Sequence, residues 1–144
     1  MKTKNKKAKK IKNKEELHND SILWKSEMNF IYDEMRFLEH LLSSQYIGFL
    51  DAGLYKKIES FVVSITKKKN SIKKILKLIE EHELMLSNLT IDKSTAVKKN
   101  YLETHNDLQR EVNNLYYDYR EIKKQIFRIV EIEMKNKRIK KLIT

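Results

Sequence analysis

The 144-residue chain contains no cysteine, no proline and only two glycines. Without cysteine there are no disulfide bonds, thiolate zinc sites or cysteine nucleophile. Proline costs about 3 kcal/mol inside a helix and glycine about 1 kcal/mol, so their scarcity permits long uninterrupted helices. Two glycines also cannot build a P-loop, a dinucleotide fingerprint or a nucleophile elbow. These absences predict a non-enzymatic helical protein with no cofactor and no small-molecule substrate.

Long apolar runs are missing as well. Apolar residues make up 40% of the chain, and no run of them approaches the ~20 residues that span a bilayer. Acidic and polar residues follow the lysine-rich start of the sequence, where a signal peptide needs its apolar segment. We therefore expect a cytoplasmic protein.

The formal net charge of +11 is concentrated at the two ends of the sequence. Residues 1–14 contain eight lysines and no acid, and we expect a disordered tail because like charges repel and nothing can be buried. Its candidate phosphate or partner contacts are Lys2, Lys4, Lys6, Lys7, Lys9 and Lys10. A second cluster without acids lies near the other end and comprises Lys135, Lys137, Arg138, Lys140 and Lys141.

Apolar residues at heptad spacing divide residues 15–144 into three predicted helices, at about 15–47, 53–87 and 93–142. Alternating steps of four and three residues are typical of a coiled-coil seam. The first helix carries the row Leu17, Trp24, Ile31 and Leu38. The second carries Ile58, Ile65, Ile72, Ile79 and Leu86. The third carries Tyr101, Leu108, Leu115, Ile122 and Ile129, and the row is then predicted to shift to Ile132, Ile139 and Ile143.

Several side chains beside these rows refine the prediction. Leu23, Phe30 and Phe37 widen the apolar face of the first helix, which suggests contact with two neighbouring helices. Tyr119 lies on the third seam and is expected in the core. Lys68 interrupts the second seam, where its stem can be buried while its ammonium group reaches water.

Two short turns joining three long helices predict an all-α protein, an elongated antiparallel up-down-up three-helix bundle or coiled coil. Gly48 is expected to end the first helix in the left-handed conformation, and Asp51 to cap the second. The third helix is the longest and is predicted to project past the first turn by ~20–25 Å.

The projecting end of the third helix is the main candidate site. Its apolar stripe (Ile132, Ile139, Leu142 and Ile143) has no predicted partner within the chain and lies among the second basic cluster. The leading hypothesis is a helical interaction or scaffold protein that binds a protein partner or another copy of itself. The alternative is a non-specific nucleic-acid- or ribosome-associated protein that uses both basic ends. Attachment to an anionic membrane surface is a less favoured third possibility.

The histidines and acidic residues do not form a metal-binding pattern. No two histidines share a helix at the spacing of paired ligands, and the Glu-x-x-His motif of di-metal bundles is absent. Folding the chain at residues 51 and 91 places His105 about a turn and a half away from His82. Both lie on seam positions, where a polar side chain more often fixes helix register. Asp33 and Glu34 are assigned to a solvated or flanking face.

The stretch from Leu23 to Leu38 combines a tryptophan, a glutamate three residues later and alternating aromatic and acidic residues. It resembles the first helix of uncharacterised small bacterial helical, coiled-coil-like proteins. The three-helix plan with a tryptophan in its first helix is also similar to spectrin-type repeats. These resemblances imply a helical fold and carry no activity or site residues with them.

Overall fold

The computed structural model describes residues 12–89 and 95–143. This part of the chain is almost entirely helical and contains no strand, so the all-α prediction is confirmed. Its helices are α1 (Lys14–Ser44), α2 (Tyr46–Asp51), α3 (Tyr55–Leu89) and α4 (Thr95–Ile143). None of them is long and apolar enough to cross a membrane. The predicted lysine-rich tail lies outside the described residues except for Lys12, Asn13 and Lys14.

A capping box begins α1. The Asn13 side chain accepts a hydrogen bond from the Glu16 backbone N–H, and the Glu16 carboxylate accepts one from the Asn13 N–H, both at 2.9 Å. These bonds satisfy N–H groups that have no partner within the first turn of a helix. The helix therefore begins at Lys14, one residue before the predicted start at about residue 15.

The predicted role of Gly48 is wrong. Gly48 lies inside the additional short helix α2, and Gly53 is the residue with a positive φ, of 75°. The Leu54 N–H donates to the Phe49 carbonyl at 2.8 Å and the Gly53 N–H to the Leu50 carbonyl at 3.0 Å. This pair of bonds is a Schellman motif, which places a left-handed residue just past the helix end. Asp51 is accordingly the last residue of α2.

Gly48 lies where α2 packs against α4. A Cβ atom at this position would meet the Glu133 carboxylate and lie 3.0 Å from Lys137 Cε. The ends of these two long side chains therefore fill the space beside Gly48, and Phe49 next to it is fully buried.

The core follows the heptad rows. Its main cluster runs from Trp24 to Leu42 in α1, from Ile58 to Ile79 in α3 and from Leu108 to Val130 in α4. A smaller cluster at the other end joins Leu17, Leu86 and Tyr101. Tyr119 is buried as predicted. Burial of a large apolar side chain stabilises the fold by roughly 1.5–3 kcal/mol, so these rows are the main source of stability.

Polar contacts fix how the helices pair along their length. Residue numbers rise together between α1 and α4, in the contacts Trp24 with Gln109, Glu34 with Lys123, and Gln45 with Lys137. They run in opposite order between α1 and α3, in the contacts His18 with Glu83 and Glu39 with Lys69. They also run in opposite order between α3 and α4, in the contacts Lys68 with Asp118 and His82 with His105.

One predicted seam assignment is wrong, and three residues predicted to widen an apolar face are not covered. After Ile126 the buried positions of α4 are Val130 and Glu133, whereas Ile132 and Ile139 are exposed. The reason is α2, which packs on this part of α4 and keeps the original heptad phase in contact. On α1, Leu23, Phe30 and Phe37 are more than half exposed. They lie on the outer side of the helix, and no other described helix covers them.

Candidate functional site

The predicted contact residues at the end of α4 are exposed. We call this segment, residues 134–143, the basic end; it holds Lys135, Lys137, Arg138, Lys140 and Lys141. The tail lysines Lys2, Lys4, Lys6, Lys7, Lys9 and Lys10 lie outside the described residues. Ile132 precedes the basic end, and Ile139, Leu142 and Ile143 lie in it; Leu142 and Ile143 are 80% and 78% exposed. The structure therefore brings the apolar stripe and the second basic cluster together.

The basic end is not fully separated from the rest of the protein. Lys137 Nζ donates a hydrogen bond to Gln45 Oε1 at 3.0 Å, next to α2. Ile139 and Lys140 line a groove of about 430 Å³ against Gly48 and Ala52. Met134, which the sequence analysis did not assign to the site, lines another groove of about 340 Å³ with Lys141. The predicted overhang is thus shortened by α2, and Leu142 and Ile143 remain as its most exposed apolar residues.

A buried polar chain joins α1, α3 and α4 near the opposite end. Asp20 Oδ2 lies 3.0 Å from His105 Nε2, and His105 Nδ1 lies 2.8 Å from His82 Nε2. Both imidazoles are almost fully buried. The Tyr101 ring stacks on His82 with centroids 4.1 Å apart, and Trp24 packs against His105 at 4.6 Å. The predicted register of α3 against α4 was wrong by about a turn and a half. The two histidines were therefore expected to lie apart.

The carboxylate of Asp20 determines which nitrogens of the two imidazoles carry protons. A carboxylate only accepts hydrogen bonds, so His105 Nε2 donates to it and His105 Nδ1 is the acceptor for His82 Nε2–H. His82 Nδ1 is then an unprotonated nitrogen, and no described residue forms a hydrogen bond with it. An added proton would leave a buried N–H without an acceptor at this atom, whichever of the two imidazoles received it.

The pKa values in this region follow from the same arrangement. Burial and, to a smaller extent, the neighbouring His105 together lower the pKa of His82 to about 4. Burial acts to raise the pKa of Asp20, but hydrogen bonds from Lys12 and His105 outweigh it and the pKa is lowered. Burial raises the pKa of Tyr101, and the nearby Glu83 and Asp20 add to this shift. At neutral pH this polar chain therefore contains a charged Asp20 and a neutral His82.

This polar chain is best explained as a device that sets the register of the helices. Asp20, His82 and His105 come from three different helices, and a slip of any helix would break a buried hydrogen bond. Trp24 Nε1 donates to Gln109 Oε1 at 3.0 Å and adds a further link between α1 and α4. Within residues 12–89 and 95–143, no group of three His, Asp or Glu side chains is placed to hold a metal ion.

A second polar cluster lies between the middle parts of α1 and α4. The Tyr119 hydroxyl donates a short hydrogen bond to Glu34, and Lys123 Nζ lies 2.8 Å from the same carboxylate oxygen. Burial acts to raise the pKa of Glu34, but the bonds from Lys123 and Tyr119 outweigh it and the pKa is lowered. Glu34 is therefore a half-buried partner of α4, which favours the flanking over the solvated position that the sequence left open.

The Glu34 cluster forms the floor of a groove of about 510 Å³ between α1 and α4. Phe30 stands on the α1 side and Tyr116 and Phe127 on the α4 side, and all three are largely exposed. Cationic side chains from the same stretch of α4 also line the groove: Arg120, Lys123, Lys124 and Arg128. The sequence analysis missed this site because it placed Phe30 at a helix contact. The spacing of Arg120, Lys124 and Arg128, one helical turn apart, is the sequence signal that indicates one basic edge.

Comparison with known proteins gives no relative. No protein-family model, curated protein or solved structure matches the chain. Its function is therefore argued from the basic end, the groove and the polar clusters themselves.

Proposed function

We propose that this chain is a non-enzymatic helical interaction protein, acting in the cytoplasm, that binds an acidic protein partner through the basic end. In this proposal α1, α3 and α4 form an elongated up-down-up coiled coil that supports the binding surface. The order of the polar contacts supports this topology, because α3 pairs in the opposite sense with both α1 and α4, whereas α1 and α4 pair in the same sense.

The observation that carries the proposal is the composition of the basic end. Residues 134–143 contain five cationic residues and no acid, and they expose Met134, Ile139, Leu142 and Ile143 in the same turns. Exposed apolar groups among charges of one sign suit a partner that buries the apolar groups and complements the charge. An acidic protein surface with apolar side chains meets both requirements.

Charge also favours a different protein over a second copy at this surface. If two basic ends packed against each other, five cations of one chain would face five of the other, and like charges in close contact are unfavourable. The basic end therefore favours an acidic partner over self-association through the same segment.

The second candidate function is non-specific binding of nucleic acid by the same cations. Lysine and arginine contacts to phosphates give affinity without sequence preference, and salt weakens that affinity steeply. The basic end contains no aromatic residue that could stack on a base. Exposed Leu142 and Ile143 also have no role in contacts with phosphates, and so we rank this function second.

The test is to purify the intact protein from its own cells at low salt, with and without nuclease, and identify what remains bound. The proposal expects a defined acidic protein that stays bound after nuclease treatment and through moderate salt. Partners that disappear after nuclease would instead support the nucleic-acid function.

Point variants separate the apolar and charged contributions of the basic end. Ile139→Ser with Leu142→Ser should release the acidic partner, because it removes exposed apolar contacts without touching the core. Leu84→Ser is the matched control, since Leu84 is equally exposed but lies on α3. Retention of the partner by the double variant, at wild-type level, would contradict the proposal.

A further inference from the structure

We propose that the groove between α1 and α4 binds an amphipathic helix of a protein partner, with acidic residues on the side of that helix that faces α4. This inference rests on the proposed interaction function and names a second surface and the chemistry of its occupant. It is independent of the basic end, because the groove lies in the middle of the protein.

The apolar part of the surface consists of a row on α1 and two side chains on α4. Leu23, Phe30 and Phe37 recur every seven residues along α1, and each is more than half exposed. We call these three residues the α1 row. On α4, the exposed Tyr116 and Phe127 line the groove opposite Phe30.

The seven-residue spacing of the α1 row matches that of a second helix lying along it. Side chains seven residues apart on an α-helix lie on one face, ~10.5 Å apart along its axis. A partner helix with apolar residues at positions i, i+3 or i+4, and i+7 can therefore place them along the α1 row. The floor of Ile31, Glu34 and Tyr119 is already packed and hydrogen-bonded, so it offers a formed base for such a helix.

The charges around the groove select the flank of the occupant. Arg120, Lys124 and Arg128 line it from α4, and Arg120 lies 5.8 Å from the centre of the Tyr116 ring. Two acids line it, of which Glu34 already accepts hydrogen bonds from Lys123 and Tyr119, while Glu131 stands near the end of the groove. Lys124 contacts Glu121 at 3.7 Å, but both side chains are largely exposed and such a pair contributes little. The α4 edge is thus basic overall and complements aspartate or glutamate.

The same charges argue against other occupants. A second copy packed so that α4 met its symmetry mate would place Arg120, Lys124 and Arg128 against identical cations. Single-stranded nucleic acid could stack on aromatic rings beside these cations. The α1 row, however, includes Leu23, and its seven-residue period matches a helix, so we commit to a helical protein segment.

The test uses synthetic helical peptides of three heptads as probes, with the full-length protein and fluorescence anisotropy as the readout. The first peptide carries leucine at its seam positions and glutamate along one flank. The second replaces those glutamates with lysine, and the third has the composition of the first in scrambled order. We expect the glutamate peptide to bind at least tenfold more tightly than either of the others. Equal binding of the scrambled peptide would overturn the inference, because it would show that charge alone is recognised.

Variants place the binding in the groove. Phe30→Ser with Phe127→Ser should weaken binding of the glutamate peptide at least tenfold, and Arg120→Glu with Lys124→Glu should make the lysine peptide the tighter binder. Leu84→Ser and Lys77→Glu are the matched controls on α3 and should leave binding unchanged. Far-UV circular dichroism and the urea midpoint confirm that each variant is folded. Wild-type affinity in the Phe30→Ser/Phe127→Ser variant would overturn the inference.

Two further outcomes assign the groove to another occupant and also overturn the inference. One is a concentration-dependent dimer, seen by light scattering, that Phe30→Ser abolishes. The other is a single-stranded oligonucleotide that displaces the peptide and needs the same phenylalanines. The variant Ile139→Ser/Leu142→Ser distinguishes this inference from the proposed function. This variant should keep full affinity for the glutamate peptide. Loss of the cellular partner in the same variant would therefore concern the basic end and would not affect the inference about the groove.

Discussion

His82 Nε2 lies 2.8 Å from His105 Nδ1, and this contact joins α3 to α4 within a buried chain that ends on Asp20 of α1. The titratable groups that face the two histidines are Asp20 with its partner Lys12 on the α1 side, and Glu83 of α3 with its partner His18 of α1. Tyr101 covers His82 from α4, and its hydroxyl group has no hydrogen-bond partner within residues 12–89 and 95–143. A proton added to His82 Nδ1 would therefore lie beside an aromatic ring, with no described residue to accept a hydrogen bond from it.

This arrangement predicts that the protein loses stability as the pH falls below neutral. The pKa of His82 is about 4 in the folded protein against an ordinary 6.5, so below pH 6.5 the unfolded chain binds a proton that the folded one does not. The stabilisation is complete above pH 6.5 and is lost as the pH falls toward 4. We expect the free energy of unfolding to drop by about 2 kcal/mol between pH values of about 7.5 and 5.

Urea unfolding at a series of pH values measures this dependence. His82→Leu should flatten it over the same interval, although the variant is less stable because His105 loses a hydrogen-bond donor. His40→Asn is the control, since His40 is exposed on α1, and its curve should run parallel to the wild type. A His82→Leu curve with the wild-type slope would show that another group is responsible.

Tyr119→Phe tests the polar floor of the groove. The substitution keeps the buried ring but removes the hydrogen bond to Glu34, whose carboxylate then depends on Lys123. Hydrogen bonds to charged groups contribute roughly 1.5–3 kcal/mol, and the remaining partner limits the loss, so we expect about 1–2 kcal/mol less stability. Tyr117→Phe on the exposed face of α4 should change it by less than about 0.5 kcal/mol. Equal effects of both substitutions would rule out a stabilising role for the bond.

The two glycines should respond differently to alanine. Gly53→Ala should cost about 1–2 kcal/mol, because Gly53 has a φ of 75° and alanine is strained in that conformation. Gly48→Ala should be nearly neutral, since the gain in helix propensity of about 1 kcal/mol offsets displacement of the flexible ends of Glu133 and Lys137. Thermal unfolding of both variants decides the matter. A larger loss at position 48 than at 53 would mean that Glu133 cannot move aside.

Lys68→Met should stabilise the protein. Lys68 occupies a seam position and is only 24% exposed, and its Nζ lies 3.3 Å from Asp118, which is largely exposed. A pair of this kind contributes at most about 1 kcal/mol, whereas methionine has a similar shape and an uncharged end that can be buried at the seam. We expect a gain of about 1 kcal/mol in the free energy of unfolding, with Lys77→Met on the exposed face of α3 unchanged. A loss of stability in Lys68→Met would show that the ion pair outweighs the burial.

The heptad rows were sufficient to predict the helical fold and most of its core. Ile58, Ile65, Ile72 and Ile79 are buried as their spacing indicates, because a seven-residue period returns side chains to one face of a helix. The capping box at Asn13 was equally readable, since its hydrogen bonds join residues three apart. The basic end was visible from composition alone.

The exposed aromatic groove, by contrast, could not be predicted, because its exposure depends on which face of α1 each neighbouring helix covers. Phe30 and Phe37 belong to a broad apolar stripe, and a stripe does not state which of its edges is covered. To predict the contact of His82 with His105, the register of α3 against α4 must be known. This register shifts by a helical turn when the position at which the polypeptide folds back changes by a few residues.

By itself the sequence determined the helical class, the buried rows and the charge of the ends, because these depend on composition and on the fixed geometry of one helix. Only the tertiary structure decided that Asp20, His105 and His82 form one polar chain, that Gly48 faces Glu133 of α4, and that an aromatic groove with a basic edge stays uncovered. Each of these features requires the relative position of two or more helices, which is set by packing over the whole length of the protein.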